Sequence, residues 1–155
     1  MSDVPSGSLN GTVSDPMNAV GVTNEGDVAK VAYHFAVLHV VPHVYIGACI
    51  PVGIIVHART TEFLGLRIVR NPETLARRCE DVDVELLVRY LRSCEAICRG
   101  DPAAGPVALA PPSERFHWLT APRSDVIRCG PVHEGLAADP GAALDALFAS
   151  YFPAD

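Results

Sequence analysis

Residues Val31–Val41, VAYHFAVLHVV, constrain this fold more than any other stretch of the chain. In an extended backbone Val31, Tyr33, Phe35, Val37, His39 and Val41 fall on one side, and Ala32, His34, Ala36, Leu38 and Val40 on the other. Aromatic and β-branched residues on two apolar sides describe a central or covered strand rather than one wetted on a face. Pro42 ends it, because proline has no donor for a sheet ladder.

The next segments supply its neighbours. Tyr45–Ala58 reads as a second strand interrupted by Gly47, Pro51 and Gly53, which predicts a bulge or an edge position around residues 47–53. After the polar turn Arg59-Thr60-Thr61, Glu62–Val69 reads as a third strand. Such short connections make an antiparallel meander, since parallel neighbours need a crossover of about a dozen residues.

At Asn71 the period changes. Asn71-Pro72-Glu73 is an N-cap, a first-turn proline and an acid suited to the helix dipole, opening a short helix to about Glu80. Asp81 or Asp83 caps the next helix, whose Val84, Leu87, Leu91, Cys94 and Cys98 repeat at three and four to make one apolar stripe. Gly100 and Pro102 stop it. The Pro/Ala/Gly-rich connection that follows holds a brief strand at Val107–Leu109, and Arg115–Leu119 and Val126–Arg128 read as short strands around a proline turn. Asp139-Pro140 opens a terminal helix with Leu144, Leu147, Phe148 and Tyr151 on one face.

The order β-β-β-α-α-β-β-α predicts an α+β fold, an antiparallel sheet of about five strands with helices packed on one face. Residues 1–28, rich in Gly, Ser, Asn, Asp and Pro, are expected to be a flexible arm before a single domain over 29–155.

Composition narrows the chemistry. Eighteen acidic and twelve basic residues give a net charge of −6, which argues against broad binding to nucleic-acid phosphates. Eleven of the basic residues are arginine, a planar fork for oxyanions. Five cysteines with no C-x-x-C pair fit reduced thiols in a cytoplasmic protein better than a disulfide framework. The N-terminal residues have neither the basic nor the apolar region of a signal peptide, and the longest apolar run, Val44–Val56, is shorter than the ~20 residues that span a bilayer. The expectation is therefore no membrane association.

The densest functional signal is Glu114–Gly135, ERFHWLTAPRSDVIRCGPVHEG, which contains the sole tryptophan, Trp118. Read as extended, it sends Phe116 and Trp118 inward and Arg115 and His117 outward, with Arg123 and Ser124 at the turn and Arg128 and His133 beyond. Arg115, His117, Arg123, Ser124, Arg128 and His133 together make a candidate anion site, in which arginine forks grip phosphate or carboxylate and histidine adds a tunable donor. The competing reading has these arginines neutralised by Glu114, Asp125 and Glu134. No metal site is expected: His34 and His39 lie on opposite faces of the first strand, His43 and His57 flank the second, and no His/Cys pair has zinc-type spacing. The spacing of Cys129 and His133 across a Gly-Pro turn defines no nucleophile–base pair, and phosphate-binding and nucleophile-elbow motifs are absent. No catalytic residue and no cofactor is assigned.

From about Ala32 to Phe152 the chain resembles the bacterial family named domain of unknown function 3037. The resemblance rests on Val41-Pro42 at the end of the first strand and on Arg115–Ser124, RFHWLTAPRS, followed by Pro131–Gly135, PVHEG. The family's Gly-Glu-x-x-Asn-x-Gly stretch falls on Gly47–Gly53, where this chain has Ala48 and Pro51 in place of the glutamate and asparagine. That departure lowers the expectation of catalysis. The resemblance implies a small accessory subunit, with a HipA-like kinase-fold protein as partner. Two functions stay open at this point: a non-enzymatic protein-binding module, or a protein that binds or processes a phosphorylated small molecule or nucleotide. Homo-oligomerisation is compatible with both.

Overall fold

β1 (Val31–Val40) is the spine of a five-stranded sheet, paired along one edge with β2 (Ile50–Ala58), which in turn pairs with β3 (Phe63–Ile68). The computed structural model describes residues 29–41, 49–79, 82–121 and 127–153, and residues 31–155 form one compact unit. Every strand pair is antiparallel. The β1–β2 register shifts between Leu38 and His39, which face Gly53 and Pro51, so the extra residue is Val52. The bulge falls where proline and glycine weaken the strand. Gly53 itself sits against the Arg67 carbonyl, 2.9 Å from where a Cβ would stand.

The other edge of β1 is shared end to end by two short strands. β4 (Ile127–Cys129) covers Leu38–Val40, and β5 (His133–Ala137) covers Val31–Phe35. Between them Ala36 and Val37 face three residues, Gly130, Pro131 and Val132, and the Gly130 amide donates to the Val37 carbonyl at 2.9 Å. One residue more than the partner strand makes this a second bulge. Because of it, Cys129 and Glu134 lie opposite Leu38 and His34, on the same side of the sheet although one number is odd and the other even.

The helices begin and end as their capping residues require. Asn71 Oδ1 accepts from the Glu73 amide at 2.8 Å to start α1 (Pro72–Arg78), and Asp83 Oδ1 accepts from Leu86 at 3.2 Å to start α2 (Val84–Arg99). Gly100 closes α2 in the left-handed region at φ 73°, where a side chain is strained. Asp139 caps α4 (Pro140–Tyr151) through the Gly141 amide.

The α+β class and the antiparallel five-stranded sheet stand as expected, but the helices are not confined to one face. On one side Ala36 and Ile55 pack with Ile97 and Cys98 of α2 and with Phe116 and Leu119. On the other, Val37, Ile54 and Val56 share a larger cluster with Leu144, Phe148 and Phe152 of the C-terminal segment, which continues into Leu75 of α1 and Leu87 and Leu91 of α2. Arg67 ties α4 to that side, reaching Asp145 at 3.2 Å with its guanidinium 4.4 Å from the centre of the Phe148 ring. A strand apolar on both sides needs two covers.

Two strand expectations are corrected. Val107–Leu109 lies in a 3-10 turn, Pro106–Leu109, and Arg115–Leu119 is helical, within α3 (Pro112–Thr120). Pro111-Pro112 supplies a first-turn proline and Glu114 a first-turn acid. Phe116 and Leu119, three apart, then reach the sheet together while Arg115 and His117 diverge. The expected arm 1–28, His43, the start of the second strand with Ala48, and the turn with Arg123 and Ser124 lie outside the described residues.

Candidate binding site beneath the third helix

α3 leans over the sheet beside α2, and the two helices do not meet the strands everywhere. Between them lies a cavity of about 320 Å³. Its walls are Tyr90, Ser93, Cys94 and Ile97 of α2, Trp118, Leu119 and Ala121 at the end of α3, and Leu38, Ile127 and Cys129 of the sheet. Half of these residues come from the stretch singled out in the sequence. The lining is apolar and aromatic with a few polar atoms, as in sites that take a small molecule or an anchoring side chain.

Arg115 holds this wall up. Its Nε donates to the Ala110 carbonyl at 2.9 Å, and its Nη1 to Ile97 and Cys98 at 3.2 and 2.7 Å. The last two are carbonyls at the C-terminal end of α2, where the negative end of its dipole lies, and Ile97 also accepts from the Gly100 amide at 3.0 Å. Arg115 is thus bound to backbone rather than to Glu114.

Two thiols at or near the cavity, Cys129 and Cys98, are shielded. The Cys129 thiol contacts the Leu119 carbonyl at 3.6 Å, and burial, with Cys94 nearby, pushes it up to about 12. The Cys98 thiol contacts the Leu64 carbonyl, and burial pushes it up to about 11 against the pull of Arg115. A thiol held protonated is a poor nucleophile.

Next to the cavity, under the middle of α3, lies a histidine group that sequence spacing did not bring together. His57 is buried, with only 6% of its surface exposed, and stacks on Phe116 with ring centres 5.1 Å apart and planes 25° apart. His34 is its direct partner across the β1–β2 ladder, and His34 Nε2 lies 3.4 Å from Glu134 Oε2. Burial lowers the His57 imidazole below its usual 6.5, and the charges of His34, His117 and Arg59 lower it further. Among the described residues no group of His, Cys, Asp and Glu is arranged to hold a metal ion.

The expected anion-site residues are therefore distributed as follows. Arg115 and His117 belong to α3, on the side of the sheet occupied by His34 and His57. Arg128 faces His39 and His133 faces Phe35, which puts both on the opposite side; the His133 and Phe35 rings are 5.1 Å apart. Arg123 and Ser124 lie outside the described residues. The sheet separates the four that are described into two pairs. Geometry that depends on long-range register, such as the His34–His57 pairing, was not readable from spacing; the signal that did exist was Trp118, which lines the cavity.

The chain is thus an α+β domain with a mainly apolar cavity between two helices and the sheet. Residues 35–152 match the sequence profile of the family described as "Protein of unknown function (DUF3037)", so the chain belongs to that family. No curated protein and no solved structure matches it. Among the described residues no helix is long and apolar enough to cross a membrane.

Proposed function

We propose that this protein is a non-enzymatic accessory module that binds a partner protein by receiving one of its apolar side chains in the cavity between α2, α3 and the sheet. The observation that carries this reading is the cavity of about 320 Å³, with Trp118 and Tyr90 in its wall. Aromatic-lined pockets that exclude water are where a few anchoring residues concentrate the affinity of an interface. The Cys98 and Cys129 thiols are held protonated and Arg115 spends three donors on backbone carbonyls, which argues against these groups as nucleophiles or an oxyanion grip. The family resemblance nominates a HipA-like kinase-fold protein as the first partner to try.

Ser93 lines the cavity from the exposed side of α2, so Ser93→Phe fills it without removing a buried group. Co-expression with the kinase-fold candidate followed by pull-down at pH 8 is the test. The wild-type chain should retain the partner and the filled variant should lose at least about tenfold in affinity, roughly 1.4 kcal/mol. Equal retention by both chains removes the cavity as the docking site.

A further inference from the structure

His57 sits where a charge is hard to accommodate and where α3 rests. Its ring is buried against Phe116, the first apolar contact that α3 makes with the strands. Around it stand His34 from β1, His117 from α3 and Arg59 from the β2–β3 turn, every one a cation or a potential cation. From β3 its ladder partner is Leu64, whose carbonyl accepts from the protonated Cys98 of α2 and so offers no negative charge. The acid placed with this group, Glu134 of β5, lies against His34 and is 81% exposed in its side chain. When His34 is charged, Glu134 pairs with it, but a carboxylate so exposed only partly offsets the cation directly across the ladder from His57.

We propose that His57 is a pH-sensitive latch for α3: with a neutral imidazole the helix closes on the sheet and shapes the cavity, and with an imidazolium it lifts and the cavity opens. An imidazolium at this position loses its hydration and meets like charges on three elements. The Phe116 ring face attracts it, but moving α3 outward hydrates the cation, separates it from His117 and keeps the ring within reach. Because Trp118 and Leu119 are the next turn of the same helix, that movement reshapes one wall of the cavity. The regulatory use of the latch rests on the binding reading above; the latch itself depends only on α3 and β2.

Trp118, the sole tryptophan, reports the helix directly. Its fluorescence is followed from pH 8 to pH 5 together with far-UV circular dichroism. The expected result is a reversible red shift that begins below pH 6.5 while the sheet signal is kept. His57→Phe, which preserves the stack on Phe116, should abolish the shift, and His39→Asn should retain it. A flat emission profile overturns the proposal, and so does an undiminished shift in His57→Phe. Should His57→Phe fail to fold, the wild-type chain still decides: its His57 ring resonance must titrate with the same midpoint as the Trp118 change, and separate midpoints refute the latch. Partner capture is read at pH 8 with the latch closed, so either reading can fail without the other.

Discussion

Arg115 Nη1 donates to the carbonyl of Cys98 at 2.7 Å, joining the start of α3 to the end of α2 across seventeen positions of sequence. Together with the bonds to Ile97 and Ala110 it ties the end of α2 and the turn before α3 to one guanidinium. Hydrogen bonds to a charged group are worth more than neutral ones, so Arg115→Ala should cost about 2 kcal/mol. Arg115→Lys should recover less than half of that, because an ammonium lacks the fork that spans separate carbonyls. Urea unfolding midpoints at pH 8 measure both; a lysine variant as stable as wild type contradicts the cap.

The Arg70 guanidinium pairs with Glu95, a carboxylate with 11% of its side chain exposed, while the arginine side chain is 69% exposed. Removing Arg70 strands a mostly buried charge, whereas Glu95→Gln removes the charge and keeps an acceptor. Arg70→Ala should therefore destabilise by about 1–3 kcal/mol, with solvent screening at Arg70 keeping it at the lower end, and Glu95→Gln by less. Thermal unfolding of the two variants and their double mutant gives the ordering.

Stability should rise with pH between 5.5 and about 7. His57 and His39 both lie below the usual imidazole value of 6.5, chiefly through burial. The unfolded chain then binds more protons than the folded one in this range, so the stability from the neutral rings is complete above 6.5 and is lost as pH falls toward their folded values. Urea midpoints at half-unit steps should slope accordingly, and the slope should flatten in the His39→Asn, His57→Phe double variant.

The cysteines should separate by reactivity. Cys49 is exposed, whereas Cys98 and Cys129 are pushed up to about 11 and about 12. At pH 8 only about one in a thousand Cys98 thiols and one in ten thousand Cys129 thiols is ionised. Alkylation followed by peptide mass analysis should mark Cys49 first and Cys129 among the last; rapid labelling of Cys129 in the folded chain contradicts its shielding.

Much of the fold was legible because its signals are local. Asn71, Asp83, Gly100 and Asp139 cap helices where their chemistry says they should, and Pro51 with Gly53 marked the bulge in β2. α3 was misread for a physical reason. Arg-Phe-His-Trp-Leu alternates polar and apolar and is rich in strand-forming rings, so a period of two fits it, while its helical signals lie in the preceding Pro111-Pro112 and in Glu114. That error moved Arg115 and His117 onto an imagined common face. The site needed more than local pattern: Arg115 acts on residues far earlier in the chain, and His57 meets His34 only because the β1–β2 register brings them opposite each other.

The single additional residue among Gly130, Pro131 and Val132 works as a phase change between two halves of one edge. Upstream of it, odd-numbered side chains such as Ile127 and Cys129 turn toward the cavity; downstream, the even-numbered Glu134 turns the same way, to His34. Paired one for one with β1, without the bulge, the same sequence would set His133 opposite His34 and carry Glu134 to the far side, opposite Tyr33. Without the slack of that one unit the edge would keep every letter and lose the acid that answers His34.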